Sequence, residues 1–307
     1  MSFVSTSSKL LLVTRRQAIA LFAATLARAA DRLPANKNVK WALGSNLWNF
    51  FKPRVAFTDI LDIMKDTGFI GVRVTQFPQI LQTYNITTEQ LRKEVDKRGL
   101  HVITISFNGP AQDAAQRPKV FADARQAMTF LKNFGANLLV VFSPNRKDLT
   151  DASFKTMCET YNQLGEIAGE MGFRAGLHNH MGQMVQTEEE VDRCMAMTDP
   201  KLFWFSPDTA HLHLAGIDSA KCLNKHKSRL MMMDYKDAKK AGSARFTDDI
   251  YDLGDGDVDF PACHRVLKSM NYKGWICVDL DTARQGPRVS YERCGAYIVK
   301  TLEPIYS

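Results

Sequence analysis

Five of the seven histidines lie in one stretch of the chain, residues 174–237, together with several aspartates, and four of the five follow apolar runs. The segments GLHNHMGQMVQT, FSPDTAHLHLAG and MMMDYKD each start as a short apolar strand and then turn polar. Imidazoles and carboxylates at successive strand ends are the groups that bind divalent metals and move protons. The stretch therefore predicts a metal or acid/base site with candidates His178, His180, His211, Asp208 and Asp234, whereas His213 is interpreted as a surface or structural residue.

The elements that must position this site alternate between short apolar runs and amphipathic stretches, which is typical of repeated βα units. Helical patterns end at a glycine before the next strand at Gly68, Gly99, Gly135 and Gly172. We expect an α/β fold, a (β/α)8 TIM barrel, in which chemistry lies at the carboxyl ends of the strands. The predicted strands are 41–47, 70–75, 101–106, 138–142, 174–178, 202–205, 230–233 and 275–280.

Length and charge are consistent with one enzyme-sized domain. The 307 residues are 45% hydrophobic, enough for a single large core. The net charge of +7 is spread along the chain without a long basic block, so no nucleic-acid partner is expected. The six cysteines form no CxxC pair and are interpreted as buried thiols, with a disulfide left open.

The N-terminal segment has the features of an export signal. Arg15 and Arg16 precede the apolar run AIALFAATLA, and the small-x-small pattern Ala27-Arg28-Ala29 follows. We therefore assign residues 1–33 to a twin-arginine signal and residues 34–307 to the barrel. The protein is expected in the periplasm or outside the cell, or in the cytoplasm if the leader is not functional. The run is too short to span a bilayer, and an amphipathic first helix is the alternative.

The segments HNHMGQMVQT, PDTAHL, MDYKD, GDGDVDF and GWICVDLD together resemble the xylose-isomerase-like barrels of sugar isomerases and epimerases. Within that superfamily, residues 40–305 are most similar to inosose dehydratases. The resemblance implies one divalent metal, such as manganese, cobalt or magnesium, held by Glu, Asp, His and Glu after strands five to eight. Position by position, the ligands here would be His178, Asp208, Asp234 and Asp279, of which only Asp208 keeps the usual residue type.

Enzymes of this kind remove a weakly acidic proton beside a carbonyl, and a metal stabilises the enediolate that forms. His180 and His211 are candidates for the general base, for a contact to a substrate hydroxyl, or for hydrogen bonds behind the ligands. Lys236 is a candidate to polarise a substrate oxygen, and a salt bridge to Asp237 is its alternative. For Asp208, the alternative to metal ligation is capping the helix that follows it.

Several residues are candidates for substrate contacts. Trp48 follows the first strand and could stack on a sugar ring or only pack a loop. The segment 238–258 either covers the site or forms a free surface loop. No glycine-rich phosphate loop follows strands seven and eight, which favours an unphosphorylated substrate. Contacts to substrate hydroxyls or to a carboxylate are predicted for Arg73 and Asn108. Hydroxyl contacts are predicted for Gln183 and Gln186, with a solvent-facing loop as the alternative.

The sequence thus predicts a metal-dependent lyase (dehydratase) or isomerase/epimerase acting on a keto-sugar or inosose. Its partner would be a small sugar or polyol, without stable membrane insertion, and homo-oligomerisation is left open. A binding or accessory barrel that has lost catalysis is the main alternative, because three of the four ligand positions are substituted. A nuclease of the same architecture is disfavoured, since such enzymes need more histidine and glutamate ligands than this chain supplies.

Overall fold

The computed structural model describes residues 33, 38–44, 54–240 and 242–306, which belong to one compact unit. Eight parallel strands form one sheet in the order β6-β5-β4-β3-β2-β1-β8-β7. Two parallel bridges, Phe205–Leu230 and Asp208–Asp234, join β6 to β7 and nearly close the cylinder. The predicted TIM barrel is confirmed, with β1 Lys40–Gly44, β2 Gly71–Val74, β3 His101–Phe107, β4 Leu138–Phe142, β5 Arg174–His178, β6 Phe203–Phe205, β7 Met233–Tyr235 and β8 Trp275–Val278.

Helices connect the strands and cover the outside of the sheet. Thr87 caps α3 by accepting a hydrogen bond from Gln90 N at 3.1 Å, and the four predicted terminating glycines all have positive φ. The described helices are α1 Phe57–Asp66, α2 Gln79–Thr83, α3 Thr88–Lys97, α4 Arg117–Lys132, α5 Asp151–Glu170, α6 Glu188–Met197, α7 Thr209–Leu214, α8 Ser219–His226, α9 Phe260–Ser269, α10 Pro287–Tyr297 and α11 Glu303–Tyr306.

The seventh strand departs from its predicted bounds. The apolar run predicted residues 230–233, whereas the strand is Met233–Tyr235 and pairs with β8 from Ile276 to Val278. Asp234 therefore lies inside the strand and not after it. A carboxylate can occupy this inward position because the buried guanidinium of Arg73 pairs with it. Hydropathy alone does not reveal such a partner.

The interior of the barrel divides into an apolar half and a polar half. Small and apolar side chains fill the half toward the amino ends of the strands, including Ala42, Ile103, Leu138, Val140 and Cys277. Because alternate residues of a strand point inward, the next inward positions toward the carboxyl ends carry Gly44, His178, Asp234 and Asp279. The functional groups thus lie on top of a packed floor.

Two predictions fall on residues outside the described part of the chain: Trp48, and the export signal at residues 1–33 except Leu33. Among the described helices, none combines the length and the apolar character needed to cross a bilayer.

A buried histidine under the barrel makes stability depend on pH. His264 on α9 is 0% exposed, stacks on Trp41 at a ring-centroid distance of 5.8 Å, and places Nδ1 3.1 Å from the hydroxyl of Tyr235. Burial lowers the pKa of His264 from 6.5 to about 4. Since the folded state favours the neutral ring, its stability contribution is complete above pH 6.5 and is lost as the pH falls toward 4.

We expect the free energy of unfolding to fall by roughly 2–3 kcal/mol between pH 7 and pH 4.5 through His264 alone, by proton linkage. His264→Phe should lose that part of the decline while keeping the ring stack on Trp41. Urea unfolding of both proteins at four pH values measures this decline in the free energy of unfolding. Equal declines in the two proteins would show that His264 is not the group that titrates.

Candidate active site

A cavity of about 820 Å³ opens at the carboxyl ends of the strands. Arg73 of β2, His178 of β5 and Lys236 after β7 reach its wall, and the loop residues Arg245–Asp248 close one side. The predicted role of segment 238–258 as a cover is therefore supported by its position. A cavity of this size accommodates a small polyol.

Arg73 crosses the barrel and binds two carboxylates. Its Nη1 donates to Asp234 Oδ2, and its Nη2 lies 2.9 Å from Asp279 Oδ2, with all three side chains buried. Gly44 of the intervening strand β1 leaves the passage open, because a Cβ there would lie 2.2 Å from Asp279 Oδ1. Arg73 thus joins β2 to β7 and β8 through a gap that only glycine provides.

This ion pairing separates the pKa values of the two aspartates. Burial opposes ionisation of Asp279, but Arg73 and Lys236 outweigh it and hold its pKa below the ordinary value. Burial raises the pKa of Asp234 to about 6, although Arg73 works in the opposite direction. Asp279 is therefore an ion throughout the physiological range, and Asp234 is ionised above roughly pH 6.

Lys236 is the second buried cation. Its Nζ lies 2.6 Å from Asp279, 3.0 Å from Asp281 and 3.2 Å from Asp208. The hydroxyl of Thr209 fixes its backbone, accepting from Lys236 N at 3.0 Å and donating to Lys236 O at 2.8 Å. The ammonium is therefore held at the cavity wall as a permanent positive charge.

Asp237 has a different role from the salt bridge considered for it. Its carboxylate accepts four backbone amides, from Ala238, Gly254, Gly256 and Val258. Gly256 allows this close approach, since a Cβ there would lie 2.1 Å from Asp237 Oδ1. Asp237 of the KD motif thus binds backbone amides of the GDG motif and closes the loop between them. Lys236 pairs with Asp208, Asp279 and Asp281 instead.

Asp208 caps a helix, which was the alternative to metal ligation, and it also presents a second oxygen to the site. Oδ1 caps α7 by accepting from His211 N at 3.1 Å, while Oδ2 turns toward Lys236 and the histidines. Asn179 fixes the Asp208 backbone, accepting from its amide at 3.0 Å and donating to its carbonyl at 3.3 Å. Burial raises the pKa of Asp208 to about 6, and Lys236 and His178 oppose this shift.

Asp208, His178 and His211 place donor atoms around one point. Nε2 of each histidine lies 3.9 Å from Asp208 Oδ2, and the three ligand atoms are all within 4.8 Å of one another. Both ring nitrogens of His178 and Asp208 Oδ2 are buried without a hydrogen bond. Ligands of a tetrahedral ion with bonds of about 2.0–2.2 Å lie roughly 3.3–3.6 Å apart, so these three donors have the right types and converge on one point but must move closer together to hold a divalent cation.

His180 faces the cavity, and its Nε2 is able to accept a proton. Its Nδ1 lies 2.7 Å from Met181 O and donates to it, which leaves Nε2 unprotonated. Burial lowers its pKa to about 3, so the ring is neutral at physiological pH. Phe246 from the covering loop contacts the rings of His180 and His211 edge-on, at 5.3 and 5.2 Å.

The structure brings most of the predicted site residues together. Asp208, Asp234 and His211 lie behind the cavity wall in contact with Arg73 or Lys236. Gln183 and Gln186 are not among the described residues of the wall, and Gln186 Oε1 accepts from Gly182 N at 2.6 Å. Their predicted hydroxyl contacts remain predictions. The predicted residues that line the cavity are Arg73, Asn108, His178, His180, Lys236 and Asp279.

Five contributors to the site were not predicted: Gly44, Asn179, Thr209, Phe246 and Asp281. The sequence contains a signal for two of them. Asn179 stands between the histidines of HNH, and Asp281 follows Asp279 at the two-residue spacing of a strand. Gly44, Thr209 and Phe246 act through contacts with residues distant in the sequence, which spacing does not reveal.

Comparison with known proteins agrees with this geometry. The family model of the xylose isomerase-like TIM barrel matches residues 61–293. The chain belongs to this family. It is 28% identical over 275 residues to an inosose dehydratase of Lactiplantibacillus plantarum, covering 80% of this chain and 90% of that protein. An inosose dehydratase of Bacillus velezensis is 31% identical over 226 residues, covering 65% and 74%.

A solved structure of the IolI protein with a bound zinc atom superposes with a TM-score of 0.70. The two chains are 14% identical, and the match covers 85% of this chain and 98% of that one. At this identity the likeness concerns the fold. This likeness and the family match together confirm the predicted resemblance to xylose-isomerase-like barrels.

The fixed charges of the site do not balance among the described residues that form it. Four carboxylates, Asp208, Asp234, Asp279 and Asp281, surround two cations, Arg73 and Lys236. Full ionisation leaves an excess of two negative charges in a buried region, and burial, with a smaller contribution from the neighbouring carboxylates, raises the pKa of Asp208 and Asp234. A divalent cation would neutralise the excess.

We expect Gly44→Ala to destabilise the protein by about 1–3 kcal/mol, because the added methyl group must displace the Asp279 carboxylate. Gly169→Ala is a matched control within helix α5, where an added Cβ meets nothing within 4 Å. It should stabilise by up to about 1 kcal/mol through helix propensity. Chemical unfolding measures both, and a Gly44 variant as stable as the parent would contradict the crowding.

Proposed function

We propose that the protein is a divalent-metal-dependent lyase or isomerase that acts on an inosose or a related keto-polyol. The observation that supports it most strongly is the group of donors His178, Asp208 and His211 beside a cavity that also presents a neutral base and a fixed cation. The inosose dehydratases among the relatives favour dehydration over isomerisation.

The metal would be held by His178, Asp208 and His211, since their donor atoms converge without hydrogen bonds of their own at Asp208 Oδ2 and His178. Bound there, a divalent ion would supply Lewis-acid polarisation of the substrate carbonyl. His178 lies in the cavity wall, so a substrate oxygen can approach this position.

His180 is the proposed general base. Its Nε2 accepts the proton from the carbon beside the carbonyl, and the bond from Nδ1 to Met181 O keeps the correct tautomer. In a dehydration, the C–O bond of the β-hydroxyl then breaks and the hydroxyl leaves as water with a proton from His180. In an epimerisation, a proton returns to the other face of the same carbon.

Lys236 is proposed to stabilise the negative charge that develops on the substrate. Its ammonium is fixed in the wall by Asp279 and Asp281, so little reorganisation is needed as charge develops. The three carboxylates around it keep its pKa above the ordinary value despite burial, and it stays protonated.

The rest of the wall suits an uncharged polyol. Ser106, Asn108, Gln76, Gln79 and Thr247 present hydroxyl and amide groups to the cavity. Arg73 and Lys236 are already engaged with carboxylates. Arg245, the third cation of the described wall, pairs with Asp248 at 2.9 Å, so a phosphate dianion would have to compete with a carboxylate at each cation, which supports an unphosphorylated substrate.

One observation favours the alternative of a binding barrel without catalysis. Arg73 and Lys236 supply internal cations to carboxylates at positions where relatives are expected to bind metal. In that case the protein would bind a polyol without labilising a C–H bond. The experiment that follows distinguishes the two functions.

With an inosose in deuterium oxide and added divalent metal, we expect proton NMR to show deuterium incorporation at the carbon beside the carbonyl. His180→Gln should lower the exchange rate by about 10²–10⁴-fold, the usual contribution of a general base. His226→Gln is the control, because this ring pairs with Asp192 at 2.8 Å outside the cavity. It should exchange at the parent rate.

Binding of the polyol without any exchange would refute the enzyme and favour the binding barrel. Unchanged exchange in a folded His180→Gln protein would remove His180 from the role of base and leave the reaction class standing.

We also propose that residues 1–33 direct export through the twin-arginine route, on the basis of Arg15, Arg16 and the apolar run that follows. Replacing both arginines by lysine should leave the protein in the cytoplasm of a host that exports the parent chain. Fractionation followed by N-terminal sequencing measures this, and periplasmic recovery of the lysine variant would count against the signal.

A further inference from the structure

Arg73 divides the carboxylates of the site into two sets. Asp234 and Asp279 are bound to its guanidinium, while Asp208 lies on the far side with His178 and His211. Arg73 belongs to β2 and reaches β8 and β7 across Gly44 of β1. Two of the four positions expected to bind metal are therefore occupied by a cation of the protein itself.

We propose that Arg73 is a positioning residue that confines a divalent ion to His178, Asp208 and His211 and thereby shifts the metal preference from magnesium toward zinc or cobalt. The proposal rests on the metal site of the proposed function but not on its reaction.

The guanidinium has the geometry for this role. It presents several donors in a rigid plane, so one arginine can hold two carboxylates at once in fixed directions. Its Nη1 and Nη2 each hold a different aspartate, and Arg73 is 1% exposed. An ion placed between Asp234 and Asp279 would have to displace Arg73 or tolerate its charge.

The remaining ligand set decides the metal preference. Two imidazoles and one carboxylate suit zinc or cobalt, whereas magnesium requires mostly oxygen ligands. Withholding Asp234 and Asp279 removes two oxygen-donating side chains from the ion. Arg73 would thus change the chemistry of the site without touching the metal.

His178 connects the two sets. Its Nδ1 lies 3.1 Å from Asp234 Oδ2, outside hydrogen-bond geometry, and its Nε2 faces Asp208. A carboxylate behind a metal-binding imidazole orients the ring and fixes its tautomer. By holding Asp234 in place, Arg73 sets how closely this carboxylate lies to the His178 ring.

The test is the affinity of the full chain for zinc, manganese(II) and magnesium, measured by competition with a chromophoric chelator and by calorimetry. In Arg73→Met, Asp234 loses its cation and Asp279 keeps only Lys236, at 2.6 Å, and we expect magnesium and manganese affinities to rise at least tenfold relative to zinc. Because zinc binds more tightly than magnesium at most sites, the change in the ratio is the informative quantity.

Two further proteins separate the proposed effect from general damage. Arg98→Met is the matched control, since Arg98 also bridges two carboxylates, Asp62 and Glu94, but outside the site. It should leave all metal affinities unchanged. Combining Arg73→Met with Asp234→Asn and Asp279→Asn removes the buried charges together and should abolish the gain in magnesium affinity.

Arg73→Lys provides a second variant if Arg73→Met does not fold. It keeps the positive charge but cannot hold both aspartates in the same way. The ratio of magnesium affinity to zinc affinity should therefore rise by a smaller factor than in Arg73→Met. An unchanged ratio in a folded Arg73 variant, or an equal change in Arg98→Met, would overturn the proposal while leaving the proposed function intact. Failure of the parent chain to bind any of the three metals would overturn both.

Discussion

The buried contact of Arg73 with Asp234 and Asp279 is the interaction on which the rest of the site depends. Two carboxylates in a region without solvent are costly unless a cation meets them, and removing one partner of such a group costs about 3–5 kcal/mol. Gly44 leaves room for this pair, since a Cβ there would lie 2.2 Å from Asp279 Oδ1 and 3.4 Å from Arg73 Nη2. The glycine on β1 thus leaves room for the ion pairs between Arg73 of β2 and the two aspartates at the carboxyl ends of β7 and β8.

From this contact the chemistry of the cavity follows in steps. With Asp279 held as an ion, Lys236 has a fixed partner at 2.6 Å and remains at the wall as an ammonium. Asp208 uses one oxygen for the helix cap and turns the other toward Lys236, at 3.2 Å, and the histidines, at 3.9 Å, while Arg73 makes no contact with it among the described ion pairs. The polar layer therefore contains both a place for a divalent ion and a separate neutral base, His180.

Much of the fold could be predicted from the sequence because the spacing of apolar residues differs between strands and helices. Alternating apolar runs located the eight strands, and the bounds of β4 and β5 agree with the prediction to the residue. The site was predicted where a polar residue ends an apolar strand, as at Asp208 and His178. Long-range partners were not predictable. Arg73 was expected to contact substrate, and neither its bridge across β1 nor the four amides around Asp237 leaves a pattern in local spacing.

Anomalous diffraction from crystals of the full chain grown with zinc is the most direct test of this arrangement. The charge distribution predicts one zinc peak within about 2.3 Å of His178 Nε2, Asp208 Oδ2 and His211 Nε2, with Arg73 still bound to Asp234 and Asp279. A peak bound to Asp234 and Asp279 with Arg73 displaced, or no peak at the barrel mouth at saturating zinc, would contradict it.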